Sequence, residues 1–318
     1  TFIMPNYQGV WSLSTQFQNA GNWPRPAGPR ALVGGGYSNA SLNTIEYFDI
    51  STDGNATDFG DLTLARYGPA AFSSATRGVF HSGYNSNIID YVTIASTGNA
   101  TDFGDAIAQS SLKGGMSNST RGIVSAGNRS AGSPTRTNVI EYNTIATLGN
   151  SQDFWDQTRV KSDATALASS TRGIIAGGYN GSSYYNELEY VTIASTGNAI
   201  DFGDLNNTVT DPSGASSATR GLVAGGYTGT GNTNVIDYIT IASTGNASDF
   251  GDLLSAIYRM AGTSSATRAV FTGGYDTADS NVIQAVTIAT TGNTADFGDL
   301  TSAKRLAAAC SSDHGGLQ

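Results

Sequence analysis

Hydrophobic and polar positions follow one another along this chain in short runs, and the runs recur in a fixed order. A stretch rich in Ala and Ser comes first, as in GPAAFSS (68–74) or ATALASS (164–170). A Thr-Arg-Gly turn then leads into an apolar run ending in small residues, as in TRGIIAGGY (171–179). Next comes an Asn-led segment that alternates every second residue; in NTIEYFDIST (43–52), Ile45, Tyr47 and Ile50 read as one face. A fourth segment carries an Asp-Phe pair, as in GNATDFGD (54–61). Runs this short, broken by Gly, Asn and Ser, predict strands joined by tight turns.

The four segments form a repeat. The Asp-Phe unit returns six times, with its phenylalanine at Phe59, Phe103, Phe154, Phe202, Phe250 and Phe297, spaced 44 to 51 residues apart. Four strands in a period of about 40–50 residues are the signature of a β-propeller blade. Six copies of the second, third and fourth strands lie between Pro29 and Leu300. The first of them lacks a leading Ala/Ser strand, and TSAKRLAAACSSDHGG (301–316) at the other end supplies one without a successor. The expectation is an all-β, six-bladed propeller with four strands (a to d) per blade, closed where the C-terminal strand a joins the N-terminal strands b to d. Residues 30–318 form the propeller and residues 1–29 an extension. In that extension Ser12 can cap a short helix over Leu13–Ala20, ended by Gly21 and Pro24, which would serve as a latch or an attachment element.

Composition narrows the function classes. The net charge is −9, which argues against a duplex-binding surface. No apolar run approaches the ~20 residues of a membrane helix. The single cysteine, Cys310, rules out an internal disulfide framework.

Candidate chemistry is sparse. Asp-Phe-Gly binds magnesium in protein kinases, but the glycine-rich loop, strand lysine and HRD loop are missing, and a catalytic motif does not recur six times. The phenylalanines are therefore read as fillers of the wedges between blades, with the flanking aspartates bonding turn amides. The two histidines, His81 and His314, form no metal cluster with Cys310, and no Ser-His-Asp set can be assembled. No cofactor is expected. Asp49, Asp53, Asn55 and Asp58 offer oxygens for a structural calcium, but equivalent turns carry fewer carboxylates, so solvated turn residues are the better reading. The recurring Arg30, Arg77, Arg121, Arg172, Arg220 and Arg268 are expected to pair with first aspartates such as Asp58 and Asp102.

The a–b turns (SSATRG) and c–d turns (ASTGNA) are nearly constant and share one face of the ring, the lower. The b–c and d–a loops share the upper face and vary. Loops on a rigid scaffold carry function, so the candidate binding residues are Tyr67, Arg129, Arg136, Tyr184, Tyr185, Tyr258 and Arg259. No carboxylate pair suited to glycoside hydrolysis is evident among the d–a loops, so a polysaccharide-degrading enzyme is the weakest reading.

The order of Ala/Ser strand, Thr-Arg-Gly, Gly-Gly-Tyr and Asn-x-Ile-Glu-Tyr-Val resembles the kelch repeat over about nine-tenths of the chain, except that Asp-Phe-Gly-Asp replaces the usual Trp near the fourth strand. Preceded by GVWSLSTQFQNAGNWP (9–24), this variant looks like the kelch-like proteins of tailed bacteriophages, especially those of cyanobacteria. The resemblance implies a non-enzymatic virion protein of the tail, fibre or capsid decoration, made in the host cytoplasm and built into an assembly as a homo-oligomer. It would contact other virion proteins through the extension and a host-surface glycan or protein through the upper face. A secreted bacterial lectin-like module is the alternative.

Overall fold

The computed structural model describes residues 28–129 and 135–317. The helix expected over 13–20 lies outside them. Six four-stranded antiparallel sheets stand in a ring, each ordered a-b-c-d from the axis outward. Blade 1 is made of Ala308–Ser311, Arg30–Gly34, Thr44–Asp49 and Thr57–Asp61. Blade 2 is Ala70–Ser73, Arg77–Gly83, Ser86–Thr93 and Thr101–Asp105, and blade 3 is Gly115–Ser117, Arg121–Val124, Val139–Thr144 and Gln152–Asp156. Blades 4, 5 and 6 begin with Thr165–Ala168, Ser213–Ser216 and Ala261–Ser264 and end with Ile200–Asp204, Ser248–Asp252 and Ala295–Asp299. The closure is as expected: Ala31 pairs with Ser311 and Gly34 with Ala308, tying the two ends of the ring into one sheet.

Each sheet is buried on both faces, because its neighbours cover it on either side. The core is accordingly six separate clusters, one per wedge between blades. Phe59 packs with Leu32 and Ile45 of its own blade and with Phe80, Val92 and Ile94 of the next. The other five phenylalanines fill the other five wedges in the same way. The reading of Ile45, Tyr47 and Ile50 as one face is corrected here. Ile45 and Tyr47 face the wedge to blade 2, while Phe48 and Ile50 face the wedge to blade 6. Strand alternation has period two, and with apolar neighbours on both sides it does not show as apolar against polar.

The Asp-Phe-Gly unit is a β-bulge. Glu46 pairs with Asp58 and Ile45 with Gly60, leaving Phe59 as the extra residue. Gly60 has φ 145°, and a Cβ there would lie 2.5 Å from the carbonyl oxygen of Gly98 in the next blade. Only glycine fits that approach without strain. The bonding around the bulge runs opposite to expectation. Instead of aspartate side chains bonding turn amides, Asn99 of the next blade's turn accepts a hydrogen bond from the Asp61 amide at 3.0 Å. The same Asn-to-amide bond recurs at every blade junction. Blade 3 is the exception in sequence: Trp155 stands where the others have this glycine, with φ 132° and 54% exposed. Its neighbouring bond from the Gly197 amide to the Phe154 carbonyl stretches to 3.1 Å, against 2.7–2.9 Å at the other five junctions.

The repeated arginines do not pair with the first aspartates, which stay exposed. Arg30 donates to the carbonyl of Ile94 in blade 2 at 2.8 Å, Arg77 to Ile145 in blade 3, and so on round the ring until Arg268 of blade 6 reaches Ile50 of blade 1. In blades 1 to 5 the same guanidinium lies 4.3–4.7 Å above the tyrosine of strand c in its own blade. Blade 6 has Ala285 at that position; there Arg268 lies over Phe297 and bonds Asp53, one of the carboxylates weighed for calcium. A turn carbonyl just after strand c and an aromatic face outcompete the exposed first aspartates because both are fixed by the blade, whereas an exposed carboxylate must be ordered to pair.

Two further devices position the upper face. Buried strand-c acids reach up to the d–a loops: Asp90 takes the Thr63 amide and pairs with Arg66 at 2.9 Å, and Glu141 takes the Ile107 amide and pairs with Lys113 at 2.8 Å. Lys161–Glu189 and Lys304–Glu46 repeat the pairing. Around the axis, the hydroxyls of Ser73, Ser117, Ser216, Ser264 and Ser311 each donate to a carbonyl of the adjacent strand a, which accounts for the serine at the end of those strands.

Candidate functional site at the channel mouth

The six d–a loops meet at the upper end of the central channel, and one residue from each closes a ring of backbone hydrogen bonds. Gly68 donates to Leu306, Leu306 to Arg259, Arg259 to Asp211, Asp211 to Asp163, Asp163 to Leu112, and Leu112 back to Gly68, at 2.8–3.1 Å. All six have φ between 51° and 62°. Five of them are not glycine, and the left-handed region costs such residues roughly 1 kcal/mol or more each. The backbone is thus the same in every blade while the side chains differ. Leu306, Gly68 and Leu112 make one half of the rim apolar; Asp163, Asp211 and Arg259 make the other half polar.

The polar half is a connected network. Arg136 donates to the Ser162 hydroxyl at 2.8 Å, and Ser162 donates to Asp163. The Asp211 amide donates to the Asp163 carbonyl at 2.8 Å, which sets the two residues side by side in the ring, and Arg259 holds the Asp211 carboxylate at 3.0 Å. Burial, and next the neighbouring Asp211, push the Asp163 carboxyl up to about 7, and burial raises Asp211 as well. The pair therefore holds a proton that ordinary carboxyls would have released. This revises the reading that the d–a loops bring no carboxylates together. Each loop contributes one acid, and only the ring makes them neighbours.

Below the rim lies a cavity of about 100 Å³ lined by the ring residues and the starts of the strands a. A second space of about 50 Å³ continues beneath it to His314. His314 lies against the Ser73 carbonyl and the Ser117 hydroxyl, and Gly315–Leu317 packs across strands a of blades 3, 4 and 5. Among the described residues, the channel is therefore closed below. Ser213 lines the upper cavity, 2% exposed, and its hydroxyl has no hydrogen-bond partner among the described residues.

Outside the ring stands a belt of tyrosines. The first residue after each glycine pair bridges to the residue just before the ring, as Tyr37 to Arg305, Tyr227 to Thr210 and Tyr275 to Tyr258. The glycine pair makes this possible: Gly35 has φ 67°, and a Cβ there would lie 2.8 Å from the Arg66 carbonyl. From blade 2 the belt runs Tyr84 to Tyr67, stacked at 4.6 Å, then Tyr37 at 5.6 Å. Arg305 bridges Tyr37 and Tyr275, 5.0 and 4.4 Å from their ring centres. The belt continues through Tyr258, Tyr227 and Tyr184 at 5.9–6.0 Å to Tyr179 at 4.7 Å, where Arg136 covers the last ring. Blade 3 interrupts it, because Asn128 replaces the tyrosine.

Of the residues expected from sequence, Tyr67, Tyr184, Tyr258, Arg136 and Arg259 are brought together here. Tyr185 instead accepts a bond from Asn180 and lies beneath Arg159, a separate group. Arg129 pairs in register with Ser110, its amide bonded to Thr135 and its Nε buried without a partner among the described residues. The residues missed were Tyr37, Tyr84, Tyr179, Tyr227 and Tyr275, which looked like repeat scaffold, and Asp163, Asp211 and Ser213. Among the described residues, no group of three or more His, Cys, Asp or Glu side chains is placed to hold a metal ion. In comparisons with known proteins, no family model and no curated sequence matches this chain.

Proposed function

We propose that this propeller is a non-catalytic binding module that holds a carbohydrate on its upper face. The observation that carries the reading is the belt of tyrosines that follows the channel mouth through five of the six blades. A pyranose has apolar C–H faces and hydroxyl edges. Aromatic rings with a polar tip suit the faces, and Arg and Asp side chains suit the edges. The eight tyrosines are half-buried or exposed and already packed against one another, so little side-chain freedom is lost on binding. The acids support binding over hydrolysis. Glycosidases leave two carboxyls free on either side of the scissile bond to act on water or a sugar carbon, whereas Asp163 is engaged by the Ser162 hydroxyl and Asp211 by the Arg259 guanidinium. The resemblance to tailed-phage proteins supplies the setting: a virion structural protein whose upper face meets a host-surface glycan and whose residues 1–29 attach it to other virion proteins.

A glycan array probed with the full chain tests this. Selective binding to a subset of glycans, lost in Tyr184→Ala and Tyr227→Ala while both variants keep the wild-type melting profile, is the expected result. Binding that survives in both variants would overturn it.

A further inference from the structure

The mouth differs from the belt in one respect that bears on which part of a glycan is bound. Two adjacent repeats carry Asp-x-Ser/Thr where the chain enters strand a, as Asp163-Ala164-Thr165 and Asp211-Pro212-Ser213. The first residue of each triplet lies in the backbone ring, and the third lines the cavity just below it. The equivalent third positions in the other four blades are Ala70, Gly114, Ala261 and Ala308, none with a polar side chain. The buried Ser213 hydroxyl has no partner among the described residues, and a buried hydroxyl left so costs roughly 1–3 kcal/mol. Gly262 of the next blade leaves room beside it; a Cβ there would lie 2.5 Å from that oxygen.

We propose that the channel mouth is an end-recognition subsite, in which the terminal residue of a glycan directs its hydroxyls into the cavity toward Asp163, Asp211 and Ser213. This deepens the proposed function and rests on it. The cavity of about 100 Å³ equals a few water molecules and is closed below by His314 and Gly315–Leu317, so one end of a sugar fits and a threaded chain does not. The donor and acceptor set favours a neutral polyol over a free cation. Arg259 bonds the Asp211 carboxylate, and Arg136 reaches the Asp163 carboxylate through the Ser162 hydroxyl, so both acids stand among fixed donors. Across the rim, Leu112 and Leu306 offer an apolar wall to the C–H side of the ring.

The test uses a pair of oligosaccharides identical except that the terminal hydroxyls of one are methylated, with affinity for the full chain measured by calorimetry. The unmodified glycan is expected to bind at least tenfold more tightly. Ser213→Ala and Asp211→Asn should each weaken it about five- to fiftyfold, while leaving the methylated glycan's affinity unchanged. Ser213→Ala removes one buried oxygen and keeps the fold, which a wild-type melting profile would verify. Equal affinity for the two glycans, or an unchanged affinity in both variants, overturns end recognition. If Tyr227→Ala still abolishes binding in that case, the belt reading stands and only the subsite falls. If neither glycan nor any array member binds, both fall.

Discussion

The molecule uses tyrosine in two ways, and the contrast separates scaffold from site. Tyr47, Tyr91, Tyr142, Tyr190 and Tyr238 sit at one position of strand c in five blades. Each lies edge-on to its wedge phenylalanine at 5.9–6.2 Å and beneath a conserved-in-repeat arginine. The upper tyrosines instead touch one another, in stacked, tilted and edge-on pairs that change from blade to blade. A side chain whose partners repeat with the blade is part of the blade. One whose partners change from blade to blade, on a backbone that does not change, is free to be chosen for something else. The channel mouth makes the same point, with six identical backbone turns carrying Gly, Leu, Asp, Asp, Arg and Leu.

The largest effect should come from the scaffold. Phe154→Ala empties a wedge in which the ring is fully buried and is expected to cost about 3–5 kcal/mol in urea unfolding. Its effect on the mouth should be confined to that loss of stability.

Acid titration sets a scaffold group against a mouth group with opposite signs. Burial, with Lys113 next, holds the His81 imidazole down to about 3, so the unfolded chain takes up a proton that the folded one refuses. Stability from His81 is full above about pH 6.5 and falls as pH drops toward 3, by roughly 1 kcal/mol per pH unit. Asp163, raised to about 7, works the other way: its contribution is present below the unfolded value near 4 and is lost as pH rises through 7. His81→Gln should therefore leave a protein that gains stability on mild acidification, and Asp163→Asn one that loses it more steeply than wild type. Parallel pH profiles for the two variants would show that the groups do not divide in this way.

Arg121→Ala removes the bond to the Ile193 carbonyl and the contact with Tyr142, for about 2 kcal/mol. The same substitution at Arg136 should cost less than about 1 kcal/mol and act on binding. The smallest effect is a gain. Trp155→Gly relieves the positive φ at an exposed position and should raise stability by about 1 kcal/mol, seen as a higher urea midpoint with unchanged slope.

Fold and closure were legible because a propeller repeats its polarity pattern six times and splits one blade between its ends. The bulge role of Asp-Phe-Gly was legible only as "structural", since recurrence excluded chemistry without showing why glycine is needed. The partners of the arginines were not legible: a main-chain carbonyl such as Ile94 has no sequence signature, while an exposed aspartate such as Asp58 draws the eye. The ring at the mouth was hidden for a related reason, because what its six residues share is a backbone conformation. Asp163 and Asp211 each stand alone in loops of different length, and only the Asp-x-Ser/Thr offset before strand a, present in two neighbouring repeats, could have signalled the pair.

The contrast between the two tyrosine sets can be read in one experiment. In protein carrying ring-labelled tyrosine, the upper and lower tyrosines report separately by NMR during titration with a glycan selected from the array. The expected result is that Tyr184, Tyr227 and Tyr258 shift in a saturable way while Tyr91, Tyr142 and Tyr238 stay in place. Shifts confined to the lower set, or spread equally over both, would contradict the assignment of the upper face as the binding site.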